Sequence, residues 1–131
     1  MGKNIDWVGK REEWLSALRD LFDTIRTWSE SQGWSVHEDE KTISEEHVGR
    51  YKAPSLMIQC PGGRIHIDPI GCNIIGAHGR IDILSFPSLN RLLLIKINSD
   101  WKIKTESRMD WPRAWSHEAF VDLVNSLTSM A

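Results

Sequence analysis

Cysteine is scarce in this chain. Cys60 and Cys72 are the only two in 131 residues, too few for a disulfide framework, and both read as free thiols packed as small apolar groups. Long hydrophobic runs are missing as well. The longest, residues 92–95, is bounded by Arg91 and Lys96, and the start of the chain lacks the basic-then-apolar order of a signal peptide. No membrane association is expected, and a cytoplasmic location follows by default. Catalytic signatures are absent too: there is no HExxH, no CxxC and no nucleophile elbow around Ser85, Ser88 or Ser99. Gly71, Gly76 and Gly79 are irregularly spaced and precede a strand-like run, so they read as turn residues rather than a phosphate loop. A net charge of -2 and a pI near 6.2 leave no general excess of positive charge to drive phosphate binding.

What is present describes an ordinary folded domain. A length of 131 residues, 40% hydrophobic and 26% charged, suits one domain that buries a core without staples. The charge is unevenly spread, with a balance of -5 over residues 1–47 and +3 over residues 48–131. Such an imbalance fits two differently decorated faces of one domain.

Helical periodicity marks both ends. Trp14, Leu18, Leu21, Ile25 and Trp28 recur at steps of four and three, which predicts an amphipathic helix from about residue 10, or from an Asp6 cap, to residue 32 ahead of Gly33. Its Trp-bearing stripe should pack on a sheet. Near the end, Ser116 is a good N-cap, Glu118 sits in the first turn, and Trp115 precedes the cap where it can staple onto Phe120. This helix should span residues 116–129.

Between the helices the period falls to two. Leu56, Ile58 and Cys60, then Ile65 and Ile67, then Ile81 and Ile83 alternate with polar neighbours, and turns stand at residues 61–63, 87–90 and 98–100. Residues 92–97 are apolar on both sides of the pleat, so that strand should be covered on both faces or meet a partner on one. Residues 38–47 hold five acids and resist both periodicities; they are expected to form a mobile acidic loop, with a leading strand over residues 34–37. The expected fold is α+β: a helix, a five- or six-stranded mostly antiparallel meander over residues 54–106, and a helix, with both helices on one sheet face. The other face would carry His66, Asp68, Arg80, Asp82, Lys102 and Lys104.

That polar face holds the candidate chemistry. His66 and Asp68 leave one strand on the same side, Arg80 and Asp82 do so on a neighbour, and His78 from the connecting turn could complete a metal-dependent hydrolytic site. Gly79-Arg80-Ile81-Asp82-Ile83 followed by Leu94-Ile95-Lys96 resembles the metal-binding strand and the acid-x-Lys strand of restriction-endonuclease-like nucleases. The resemblance implies a metal-ligating Asp82 and a Lys96 that stabilises the attacking hydroxide. It departs at Leu94, which stands where the second acid belongs, and where another strand follows instead of a helix.

The leading expectation is therefore a non-catalytic protein-binding module of adaptor, immunity or chaperone-like character, with no cofactor and with a protein partner or self-association. Arg80, Lys102 and Lys104 would contribute, and Trp111 beside Arg113 has the composition of an interaction hot spot. The alternatives are the metal hydrolase on His66, Asp68, His78 and Asp82, and a weak nucleic-acid binder using Lys96, Lys102, Lys104, Arg108 and Arg113 with Trp101 and Trp111 for stacking.

Overall fold

The computed structural model describes residues 5–105 and 113–128. Helix α1 spans Trp7–Ser31, followed by strands β1 (Ser35–Glu45), β2 (Gly49–Cys60), β3 (Gly63–Gly71), β4 (Gly79–Phe86), β5 (Arg91–Ile97), β6 (Asp100–Lys104) and β7 (Arg113–Ala114), and by helix α2 (His117–Thr128). The strands form one antiparallel sheet in the order β1 to β7, a pure meander. The α+β arrangement is the expected one, with seven strands in place of five or six.

Local chemistry sets the helix ends. The Asp6 carboxylate accepts a hydrogen bond from Gly9 N at 2.9 Å, so α1 begins at the earlier of the two expected caps. In α2, Ser116 Oγ accepts from Ala119 N at 3.0 Å, and the Trp115 and Phe120 rings meet edge-on at 5.7 Å. Trp14, Leu18, Leu21, Phe22 and Ile25 of α1 and Phe120, Leu123, Val124 and Leu127 of α2 are buried against a single sheet face. On that face the ladder aligns Leu56, Ile67, Ile83 and Leu92 in one row and Ile81, Leu94 and Ile103 in another. Gly79 has no side chain because the Trp14 ring occupies the space a Cβ would take. Tight turns hold the end of α2: Ser88 Oγ and Asn90 Nδ2 both donate to the Leu127 carbonyl, at 2.6 and 2.9 Å.

The acidic stretch is a strand, not a loop. Residues 38–45 pair with β2 in unbroken register, from Glu38 opposite Leu56 to Glu45 opposite Gly49. As β1 is the edge of the sheet, charged side chains are what such a strand carries to discourage further pairing. Glu38 faces Arg19 and Arg26 of α1 at 3.6 and 3.5 Å, and Lys41 reaches across to Asp68 at 2.6 Å.

Glu45 fastens the far end of this hairpin. Its carboxylate accepts from the backbone N–H groups of Cys72 (3.0 Å) and Asn73 (2.8 Å) and from the Tyr51 hydroxyl. Gly71 makes the approach possible, since a Cβ there would stand 2.2 Å from Glu45 Oε1. Burial, then the adjoining Glu45 hydrogen bond and charge, push the Tyr51 hydroxyl pKa well above its ordinary value. Burial and the Glu45 charge likewise push the Cys72 thiol up to about 11, while burial raises Cys60. Both thiols are free and buried. No helix among the described residues is long and apolar enough to cross a membrane.

Candidate functional site

Successive side chains on a strand point to opposite faces. The residues that alternate with the buried Ile and Leu therefore share the second face of the sheet, and among the described residues neither helix covers it. Its rows follow from the register. Met57, His66, Leu84 and Arg91 form one; Asp68, Asp82, Leu93 and Lys104 form the next; Arg80, Ile95 and Lys102 form a third, ending on Ala114. At one end Arg64 lies over the Phe86 ring, 5.8 Å from its centroid.

Two carboxylates sit directly opposite each other at the centre, an arrangement that would repel without counter-charges. Each has its own. Arg80 forks onto Asp82, Nε to Oδ1 at 2.7 Å and Nη2 to Oδ2 at 3.2 Å, and Arg91 approaches the same carboxylate at 3.7 Å. Asp82 is only 6% exposed beneath these guanidinium groups. Asp68 is held by Lys41, which also donates to the Pro69 carbonyl at 2.8 Å. Around this core Leu84, Leu93 and Ile95 are half-buried, and Lys104 is exposed. The face thus offers apolar patches and cationic donors, with its carboxylates already engaged.

The sequence-derived residues divide into groups. His66, Asp68, Arg80, Asp82, Lys102 and Lys104 share this face, as their alternation indicated. His78 does not join them: its Nδ1 accepts from Asn98 N at 2.8 Å, and it borders a cleft with Lys10, Glu13 and Trp14 of α1. No three His, Cys, Asp or Glu side chains among the described residues assemble as metal ligands. Lys96 pairs with Gly79 on the helix-covered face, 6% exposed, whereas Asp82 is on the opposite face; the sheet separates the two residues that the nuclease resemblance would bring together. Arg113 lies opposite Ile103 on the helix side and pairs with Asp122 of α2 at 3.3 Å, away from Lys102 and Lys104. Trp101 is packed on Trp14, ring centroids 6.2 Å apart, so it is committed to the covered side. Trp111 and Arg108 lie outside the described residues.

No family model matches the chain, and neither curated proteins nor solved structures gave a match.

Sequence reasoning missed two features. One is the Glu45 anchor, whose partners lie 27 and 28 positions away. The other is a groove between α1 and the β5–β6 end of the sheet where Trp28, Trp101 and Trp115 meet. The unusual count of seven tryptophans was the available signal, but it carried no information about which of them converge.

Proposed function

We propose that this protein is a binding module whose uncovered sheet face engages a protein partner with an acidic, partly apolar surface. The observation that carries the reading is the half-buried Leu84, Leu93 and Ile95 standing among Arg64, Arg80, Arg91, Lys102 and Lys104 on a face that neither helix covers. Against these five cations and Lys41 stand Asp39, Asp68, Asp82 and Asp100 among the described residues. An interface of this kind combines an apolar centre that is desolvated on contact with a charged rim that steers and orients the partner. The surplus of positive charge favours an acidic partner over a second copy, because an isologous contact would set these cations against one another. Nucleic acid is less well matched, since the carboxylates of Asp68 and Asp82 occupy the centre of the same surface and Trp101 lies on the other side of the sheet.

Affinity capture followed by reconstitution with the purified partner tests the reading. Ile95→Glu should weaken that complex by about 2 kcal/mol or more and destabilise the isolated protein far less than a substitution on the helix-covered face. Lys102→Glu with Lys104→Glu should slow association most at low salt. A partner that binds Ile95→Glu and the wild type equally would place the interface elsewhere and overturn the proposal.

A further inference from the structure

The outer edge of the sheet is a separate surface, with charge opposite to that of the bare face. Strand β1 is first in the strand order and pairs on one side only, with β2. Hydrogen-bonded and non-bonded pairs alternate along an antiparallel ladder, so every second residue of β1 directs its backbone N–H and C=O away from β2. No group among the described residues bonds to β1 from that outer side. Sheet edges are commonly blunted by shortness, proline, a bulge or a covering element. Here β1 runs for 11 residues without proline, and its register with β2 is unbroken from Ser35 to Glu45. Residues 37–40 are exposed in succession, on both sides of the pleat, so neither a helix nor a loop closes over this stretch. Charge is the device that remains.

That charge has one sign. Glu38, Asp39 and Glu40 follow one another, and alternation sets Glu38 and Glu40 on one side of the pleat and Asp39 on the other. A strand added at this edge therefore meets an acid whichever way its own side chains point. The neighbouring cations are turned inward: Arg19 and Arg26 approach Glu38 from α1, Lys41 crosses β2 to Asp68, and Lys52 donates to Thr42 Oγ1 at 2.8 Å. Asp39 has the His37 ring at 3.2 Å, and Glu40 has no ion-pair partner among the described residues. A second copy of β1 laid antiparallel on this stretch would set the same acids against each other. The acids that exclude such pairing attract a cationic strand.

We propose that the β1 edge binds a lysine- or arginine-rich segment of another protein as an added strand. The main-chain ladder supplies the affinity and the acids select the partner. The site is independent of the bare face and of the acidic partner assigned to it. Titration of the ¹⁵N-labelled full chain with a synthetic peptide of alternating lysine and valine tests it. The same peptide N-methylated throughout keeps the charge and loses every N–H donor, and a peptide of alternating glutamate and valine reverses the charge. The lysine peptide should give saturable amide shifts along Ser35–Glu45 and slow hydrogen exchange at every second amide there. The N-methylated peptide should bind about tenfold more weakly or worse, and the glutamate peptide should not bind. Asp39→Lys with Glu40→Lys should weaken the lysine peptide about tenfold at a nearly unchanged thermal midpoint, both residues being exposed. Lys104→Ala on the bare face should leave it unaffected. Unprotected β1 amides, equal binding of the N-methylated peptide, shifts confined to the bare face, or a folded double variant that binds as the wild type does would each overturn the proposal.

Discussion

On the helix-covered side of the sheet, Ile58, Ile65, Ile67, Ile81, Ile83 and Leu94 lose all contact with water, whereas on the other side the same strands set half-buried Leu84, Leu93 and Ile95 among paired charges. The backbone is common to both, so the contrast comes from what each side has to pack against. Burying an Ile or Leu fully is worth about 1.5–3 kcal/mol, and that gain accumulates only where a helix closes over the side chain. Cross-strand charge pairs contribute less and depend on their surroundings. Stability is thereby concentrated on the helix-covered face, and side chains on the other face contribute less to it.

The largest expected effect would break this comparison directly. Ile83→Ala or Ile25→Ala on the covered side should cost about 2–5 kcal/mol in urea unfolding, while Ile95→Ala should cost well under half as much. Comparable losses at both sites would mean that the second face is also a packed layer.

Next comes the anchor of the β1–β2 hairpin. Glu45→Ala removes the acceptor of the Cys72 and Asn73 N–H groups and of the Tyr51 hydroxyl, and should cost about 1–3 kcal/mol. Hydrogen exchange should quicken at Cys72 and Asn73 before it changes in β4 or β5; uniform loss of protection would make the hairpin part of one cooperative core.

Alkaline pH probes the same corner. The Cys72 thiol has a folded-state pKa raised to about 11 from an ordinary 9.0, so the unfolded chain releases that proton first. The folded state then holds more protons than the unfolded state, and stability falls as pH rises. The contribution is complete below about pH 9 and is lost by about pH 11; Tyr51, also raised, acts in the same direction. Urea midpoints at rising pH should decline over that window, and Cys72→Ala should flatten the decline. A midpoint that rose with pH would contradict the burial of these groups.

The smallest expected change belongs to the exposed pair at the edge. Arg113→Ala should alter stability by about 0–1 kcal/mol and should leave binding at the open face unaffected, because Arg113 is on the other side of the strand. A clear loss of partner binding in this variant would extend the interface around the β7 edge and sharpen the boundary between the two faces.

Some of this was legible in residue order. The α1 stripe, the Ser116 cap and the Pro61-Gly62 turn are local: their causes lie within a few positions, so periodicity and turn chemistry reveal them. Residues 38–45 were opaque because their reason for being extended is non-local. Edge position, the Tyr51 and Ala53 ladder partners, and Arg19 and Arg26 on α1 all come from elsewhere in the chain. His78 failed as a companion to His66 for a similar reason, since closeness in sequence says little once a turn carries a side chain around a strand end.

Alternation by itself determined which residues could share a face: His66 with Asp68, Arg80 with Asp82, Lys102 with Lys104. That rule is a property of the extended backbone and needs no partner. Tertiary structure alone decided the rest. The ladder register put Asp82 and Lys96 on opposite sides of the sheet, the helices chose which side to cover, and three tryptophans from α1, β6 and the approach to α2 came to line one groove. Register and coverage depend on the sum of many distant contacts, and no local pattern encodes that sum.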